Sequence, residues 1–93
     1  MSHFMMTYDL RAPGRNYDDL YKLLRENWKA KKVAESVWLA EINGTAGAIR
    51  DSMRSVVDSN DRIVVIELKS PGQWGTLHGI PEGVDWLKKN ISA

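Results

Sequence analysis

Residues 62–68, Arg-Ile-Val-Val-Ile-Glu-Leu, constrain the fold more than any other stretch of the chain. Their β-branched side chains lose freedom in a helix and pack well on a pleated surface, so the segment is a strand. Alternation puts Ile63 and Val65 on one side and Val64 and Ile66 on the other, and both sides are apolar. A strand of that kind needs cover on two faces, which predicts a central place in a layered domain.

The flanking segments supply the other elements. Phe4, Met6 and Tyr8 alternate with Met5, Thr7 and Asp9 in a first strand that the turn residues Pro13 and Gly14 follow. From Asn16 to about Ala30, the spacing of Tyr17, Leu20, Tyr21, Leu24 and Trp28 predicts a helix capped by Asn16. Asp18 and Asp19 lie in its first turn, where the helix dipole favours them. Residues 32–42 read as extended, either one bent strand or two short strands hinged near Glu35. A second helix, from about Thr45 to Val57, carries Ile49, Met53, Val56 and Val57 on one face, and the turn 58–61 leads into the strand at 62–68. A loop rich in glycine and proline then precedes a short last helix with Val84, Leu87 and Ile91 in line.

This order predicts one α+β domain over residues 1–93, a ferredoxin-like split βαβ with an antiparallel sheet and a short C-terminal helix. Its two main helices cover only one face of the sheet. Met5, with either Val64 and Ile66 or Ile63 and Val65, is left on the other face, so a second copy of the chain is the expected partner. Trp74 is placed as a lid over the edge of that dimer.

Composition narrows the function classes. With no cysteine, disulfides, thiolate nucleophiles and thiolate metal sites are excluded. A net charge of +1 lacks the strongly basic signature of nucleic-acid binding, so any basic surface is local. Apolar runs such as Ile63–Ile66 are far too short to span a membrane, and the first ten residues lack a basic region followed by an apolar core. The expectation is a cytoplasmic protein with no membrane partner.

Three segments carry a family likeness: Tyr8-Asp9-Leu10, Glu35-Ser36-Val37-Trp38-Leu39, and Asp58-Ser59-Asn60-Asp61-Arg62-Ile63. Together they resemble the Cas-two family of CRISPR-associated proteins. VapD-type toxins share the framework, and small SinR-like proteins are similar through to Trp86-Leu87-Lys88. The resemblance implies a homodimer linked to RNA or DNA, with a Mg²⁺-dependent endonuclease that hydrolyses phosphodiesters as one reading; the alternative is a catalytically inactive homodimeric scaffold or protein-interaction module on the same fold. It makes Asp9 the match for the family's strand-end aspartate, as catalytic residue and Mg²⁺ ligand, Ser36 the match for its middle-strand serine and Trp38 for the neighbouring aromatic. Of the arginine run that often follows the aspartate in the family, only Arg11 and Arg15 remain, among acidic residues.

Each candidate has a plainer reading beside it. Two copies of Asp9 facing across a dimer axis would hold one Mg²⁺, or else Asp9 accepts backbone N–H bonds in the loop that follows its strand. Ser36 orients phosphate or satisfies a strand neighbour. Arg25, Lys29, Lys31 and Lys32 form the densest basic stretch, and with Trp28 they either hold a phosphate backbone and stack a base or form a solvated helix end with Trp28 in the core. His3 and His78 lack metal-pair spacing and are expected at the surface, and the loop at 70–79 has no cofactor fingerprint.

Overall fold

The alternation along the first strand builds the middle of the sheet. In the computed structural model, which describes residues 1–92, β1 (Ser2–Asp9) lies between β3 (Val37–Ile42) and β4 (Arg62–Leu68), and β2 (Lys31–Ala34) pairs outside β3. Every pairing is antiparallel and the order is β2-β3-β1-β4, the order of a ferredoxin-like split βαβ. The extended stretch is therefore two strands, which turn at Glu35 and Ser36.

One face of the sheet carries Phe4, Met6, Tyr8, Trp38 and Ala40, packed against Leu20, Leu24, Ile49 and Met53 from the helices. Leu24 is 0% and Ile49 2% exposed, as their helical spacing predicts. The first helix differs from its expected form. It is α-helical over α1 (Asp18–Lys22) and widens into a π-helical turn over Leu23–Asn27, where Trp28 N–H bonds Leu23 O five residues back at 3.1 Å. The cap position falls on Tyr17, which makes no side-chain cap, and not on Asn16 as expected; Asn16, one residue earlier, closes a turn by accepting from Asp18 N–H through Oδ1 at 2.7 Å. The second helix, α2 (Ala46–Arg54), starts where Thr45 Oγ1 accepts from Ala48 N–H at 3.1 Å. It stops short of Val57, because the Ser55 hydroxyl donates to Ser52 O at 2.7 Å and closes the last turn.

The other face is half covered. The last helix, α3 (Pro81–Asn90), lies across β2 and β3, and Leu87 and Ile91 pack on Leu39, Met5 and Leu68. Ile80 N–H donates to Val33 O at 3.0 Å and ties the start of this helix to the outer edge of the sheet. Trp74 packs on the same cluster and donates its indole N–H to Ile91 O at 2.9 Å, so within the chain it pins the end of α3. Val64 and Ile66 remain 49% and 47% exposed.

The strand at 62–68 is thus an edge strand and not a central one. Its apolar character on both faces has a different cause from the one expected. The helix-side residues Ile63 and Val65 pack on the main core, whereas Val64 and Ile66 lie on the part of the sheet that α3 does not reach. No helix among the described residues is long and apolar enough to cross a membrane.

Candidate functional site

The three segments that carry the family likeness meet at one end of the sheet. β1 ends there at Asp9, the β2–β3 hairpin turns there through Glu35 and Ser36, and the turn at 58–61 enters β4 there. Much of what they share is framework. Trp38 Nε1–H donates to Tyr8 Oη at 3.0 Å inside the core. Burial raises the Tyr8 hydroxyl above its ordinary pKa against the opposing effect of that bond. Asp61 accepts from Arg11 N–H at 2.6 Å and Asp58 N–H at 2.8 Å, which docks the loop after β1 onto the turn before β4. Burial disfavours its charge, but the backbone N–H groups of Arg11 and Asp58 outweigh burial and hold its carboxyl below the usual range.

Asp9 and Ser36 share an open cleft with Tyr8, Leu10, Tyr21, Lys32 and Glu35. Asp9, Ser36 and Lys32, candidates from three separate segments of the sequence, are gathered here by the fold. It also supplies a residue that sequence reading missed. Arg62 lies directly across from Asp9 in the β1–β4 register, with Nη1 at 3.1 Å from Oδ2, and Arg11 approaches the same oxygen at 3.8 Å. The signal was present only in the pairing of two strands far apart in sequence.

A single chain does not fit a Mg²⁺ ion here. Mg²⁺ takes an octahedral shell of oxygens, and the cleft offers only two carboxylates, Glu35 and an Asp9 that is already paired with Arg62 and approached by Arg11. Among the described residues no three His, Cys, Asp or Glu side chains are grouped to hold a metal ion.

The basic candidates do not form one patch. Arg15 is 3.8 Å from Asp58 and 5.7 Å above the Tyr17 ring. Lys31 and Lys32 are successive strand residues and point to opposite faces: Lys31 into a hollow with Glu82 and Trp86, Lys32 to the Asp9 cleft with its ammonium 5.6 Å from the Trp38 ring. Arg25 stacks 4.7 Å over that ring and is tied to Glu82 at 2.6 Å. Lys29 lies at the opposite end of the sheet, in a hollow with Trp28 that is half-buried and packed against the core. His3 is not a free surface residue, for it faces Glu41 at 3.3 Å and sits edge-on to Trp86 at 5.3 Å. His78 is exposed. Compared with models of known protein families, the chain matches none.

Proposed function

We propose that this chain is a Cas-two-like homodimeric scaffold linked to RNA or DNA, joined through the uncovered half of the second sheet face. The observation that carries this reading is the exposure of Val64 and Ile66 beside the partly exposed Met5, Thr7 and Val37 on one face of the sheet. A second copy is the occupant that the charges favour. Arg62 and Asp9 flank the patch, so a two-fold arrangement lets each guanidinium meet the other copy's carboxylate. On this reading Arg11 and Lys32 at the Asp9 cleft, with Arg15 beside Asp58, meet the phosphate backbone, and the chain itself cuts nothing.

A second reading, a Mg²⁺-dependent endonuclease, is favoured by the meeting of Asp9 and Ser36 in one open cleft. It requires a second Asp9 from the partner and the withdrawal of Arg62. Cleavage and mobility-shift assays on RNA and DNA, with and without Mg²⁺, separate the two. The scaffold reading predicts no metal-dependent cleavage, and predicts that Val64→Asp weakens nucleic-acid binding more than Asp9→Asn does. Cleavage that needs Mg²⁺ and vanishes in Asp9→Asn overturns it in favour of the enzyme.

A further inference from the structure

At the end of the sheet far from Asp9, a cleft of about 410 Å³ is lined by Trp28 and Trp86 together with Asn27, Lys29, Asn43 and Glu41. From the Ser2 end of β1 to Asp9 is seven residue steps, roughly 23 Å, so this is a separate site. Its polar side chains, Asn27, Lys29, Glu41 and Asn43, are exposed to solvent. Among the described residues, the side-chain amides of Asn27 and Asn43 make no hydrogen bond and Lys29 has no acidic partner, whereas Glu41 is engaged by His3 at 3.3 Å. The indole N–H groups of Trp38 and Trp74 are bonded inside the chain, and those of Trp28 and Trp86 are not.

The backbone adds a second observation. Lys29 stands at φ 55°, in the left-handed region that an ordinary side chain enters at a cost and that glycine enters freely. It follows directly on the π-helical turn Leu23–Asn27, a distortion that recurs at functional sites. A helix end that glycine would close without strain instead carries an ammonium group at the lip of an aromatic cleft.

We infer that this cleft binds a nucleobase with its phosphate: an indole face stacks the base, Asn27 and Asn43 bond its polar edge, and Lys29 takes the phosphate. Stacking suits any base because every base has a π-face, and an amide offers both a donor and an acceptor to the ring edge. The phosphate lies on the Lys29 side, away from the Glu41 carboxylate. Of the lysine-rich stretch read from sequence, only Lys29 stays with Trp28, and Trp86 arrives from α3.

The test is titration of the ¹⁵N-labelled protein with adenosine 5′-monophosphate, ribose 5-phosphate and a short oligouridylate. Its four indole N–H signals are followed, two of them as internal controls. Nucleotide shifts the Trp28 and Trp86 signals saturably and leaves Trp38 and Trp74 in place, while ribose 5-phosphate, lacking the base, shifts none. Lys29→Gly relieves the backbone strain and removes the charge, so it raises the thermal midpoint yet weakens binding. Asn43→Ala and Trp86→Ala also weaken binding, the latter by about tenfold as befits loss of a stacking partner. Tighter binding of the oligonucleotide than of the mononucleotide identifies a strand as the source, and equal binding a free nucleotide; both support the site. The inference is overturned if no indole signal moves at millimolar nucleotide, if all four move together, or if Lys29→Gly and Asn43→Ala bind as wild type does. None of these outcomes depends on the dimer or on Asp9.

Discussion

Replacing Gly83 by alanine tests how α3 is held on the sheet. In an ordinary helix interior, Gly→Ala stabilises by about 1 kcal/mol, because alanine loses less backbone entropy on folding. At position 83 the added Cβ would lie 2.4 Å from Val33 Cβ, 2.5 Å from Val33 Cα and 2.7 Å from Lys32 O. Two of these atoms are backbone, so rotating a side chain relieves nothing and the helix must rise off β2. Overpacking of that kind costs about 1–3 kcal/mol. Lifting the helix also stretches the bonds from Ile80 N–H to Val33 O at 3.0 Å and from Lys32 N–H to Glu82 at 2.8 Å, each worth about 1 kcal/mol. Set against the propensity gain, the expected net loss is about 1–4 kcal/mol. Urea unfolding followed by tryptophan emission measures it. Gly47→Ala on α2 is the control, since its Cβ would meet nothing nearer than Arg50 Nη2 at 3.9 Å, and it should gain about 0.5–1 kcal/mol. If Gly83→Ala stabilises as much as Gly47→Ala, the close approach of α3 to β2 is wrong.

Three further outcomes follow from the same packing. Leu24→Ala and Ile49→Ala should each cost about 2–5 kcal/mol in denaturant melts, and losses below about 0.5 kcal/mol for both would contradict the core assignment. Tyr8→Phe leaves the buried Trp38 indole N–H without its acceptor and should cost about 1–3 kcal/mol, read by the same melts with a shift in Trp38 emission; an unchanged midpoint would remove the bond from the account. The Lys32 N–H bond, helped by Arg25, holds the Glu82 carboxyl below its usual pKa. Its contribution is therefore full above the unfolded value of about 4.3 and is lost as pH falls through the folded value. Stability between pH 7 and acid should fall less in Glu82→Gln than in wild type, and parallel curves would refute the linkage.

What could be read from the sequence was local. Strand alternation at 4–8, the helical stripe through Leu24, and the start of the second helix near Thr45 depend on neighbours a few residues apart, and each is found in the structure. Strand rank was not legible: Ile63–Ile66 looks central because it is apolar on both faces, and composition cannot distinguish a face covered by α3 from one left bare. At the candidate site, Asp9 and Ser36 stood out in the sequence, whereas Arg62 emerged only from the β1–β4 register. Gly83 gave no sign of its role, because a close approach between α3 and β2 depends on tertiary geometry that a lone glycine does not reveal. The lysines at 29, 31 and 32 looked like one patch, but strand alternation and the left-handed turn at Lys29 send them to three places.

The central claim is that the bare half of the sheet is where two copies meet, and sedimentation equilibrium of the wild-type chain at micromolar concentration tests it most directly. The account predicts a species of twice the chain mass of 10.6 kDa, reduced to that single mass by Val64→Asp, whose buried charge the interface cannot pair. A wild-type protein that sediments at 10.6 kDa across the concentration range, or a dimer that Val64→Asp leaves intact, would contradict it.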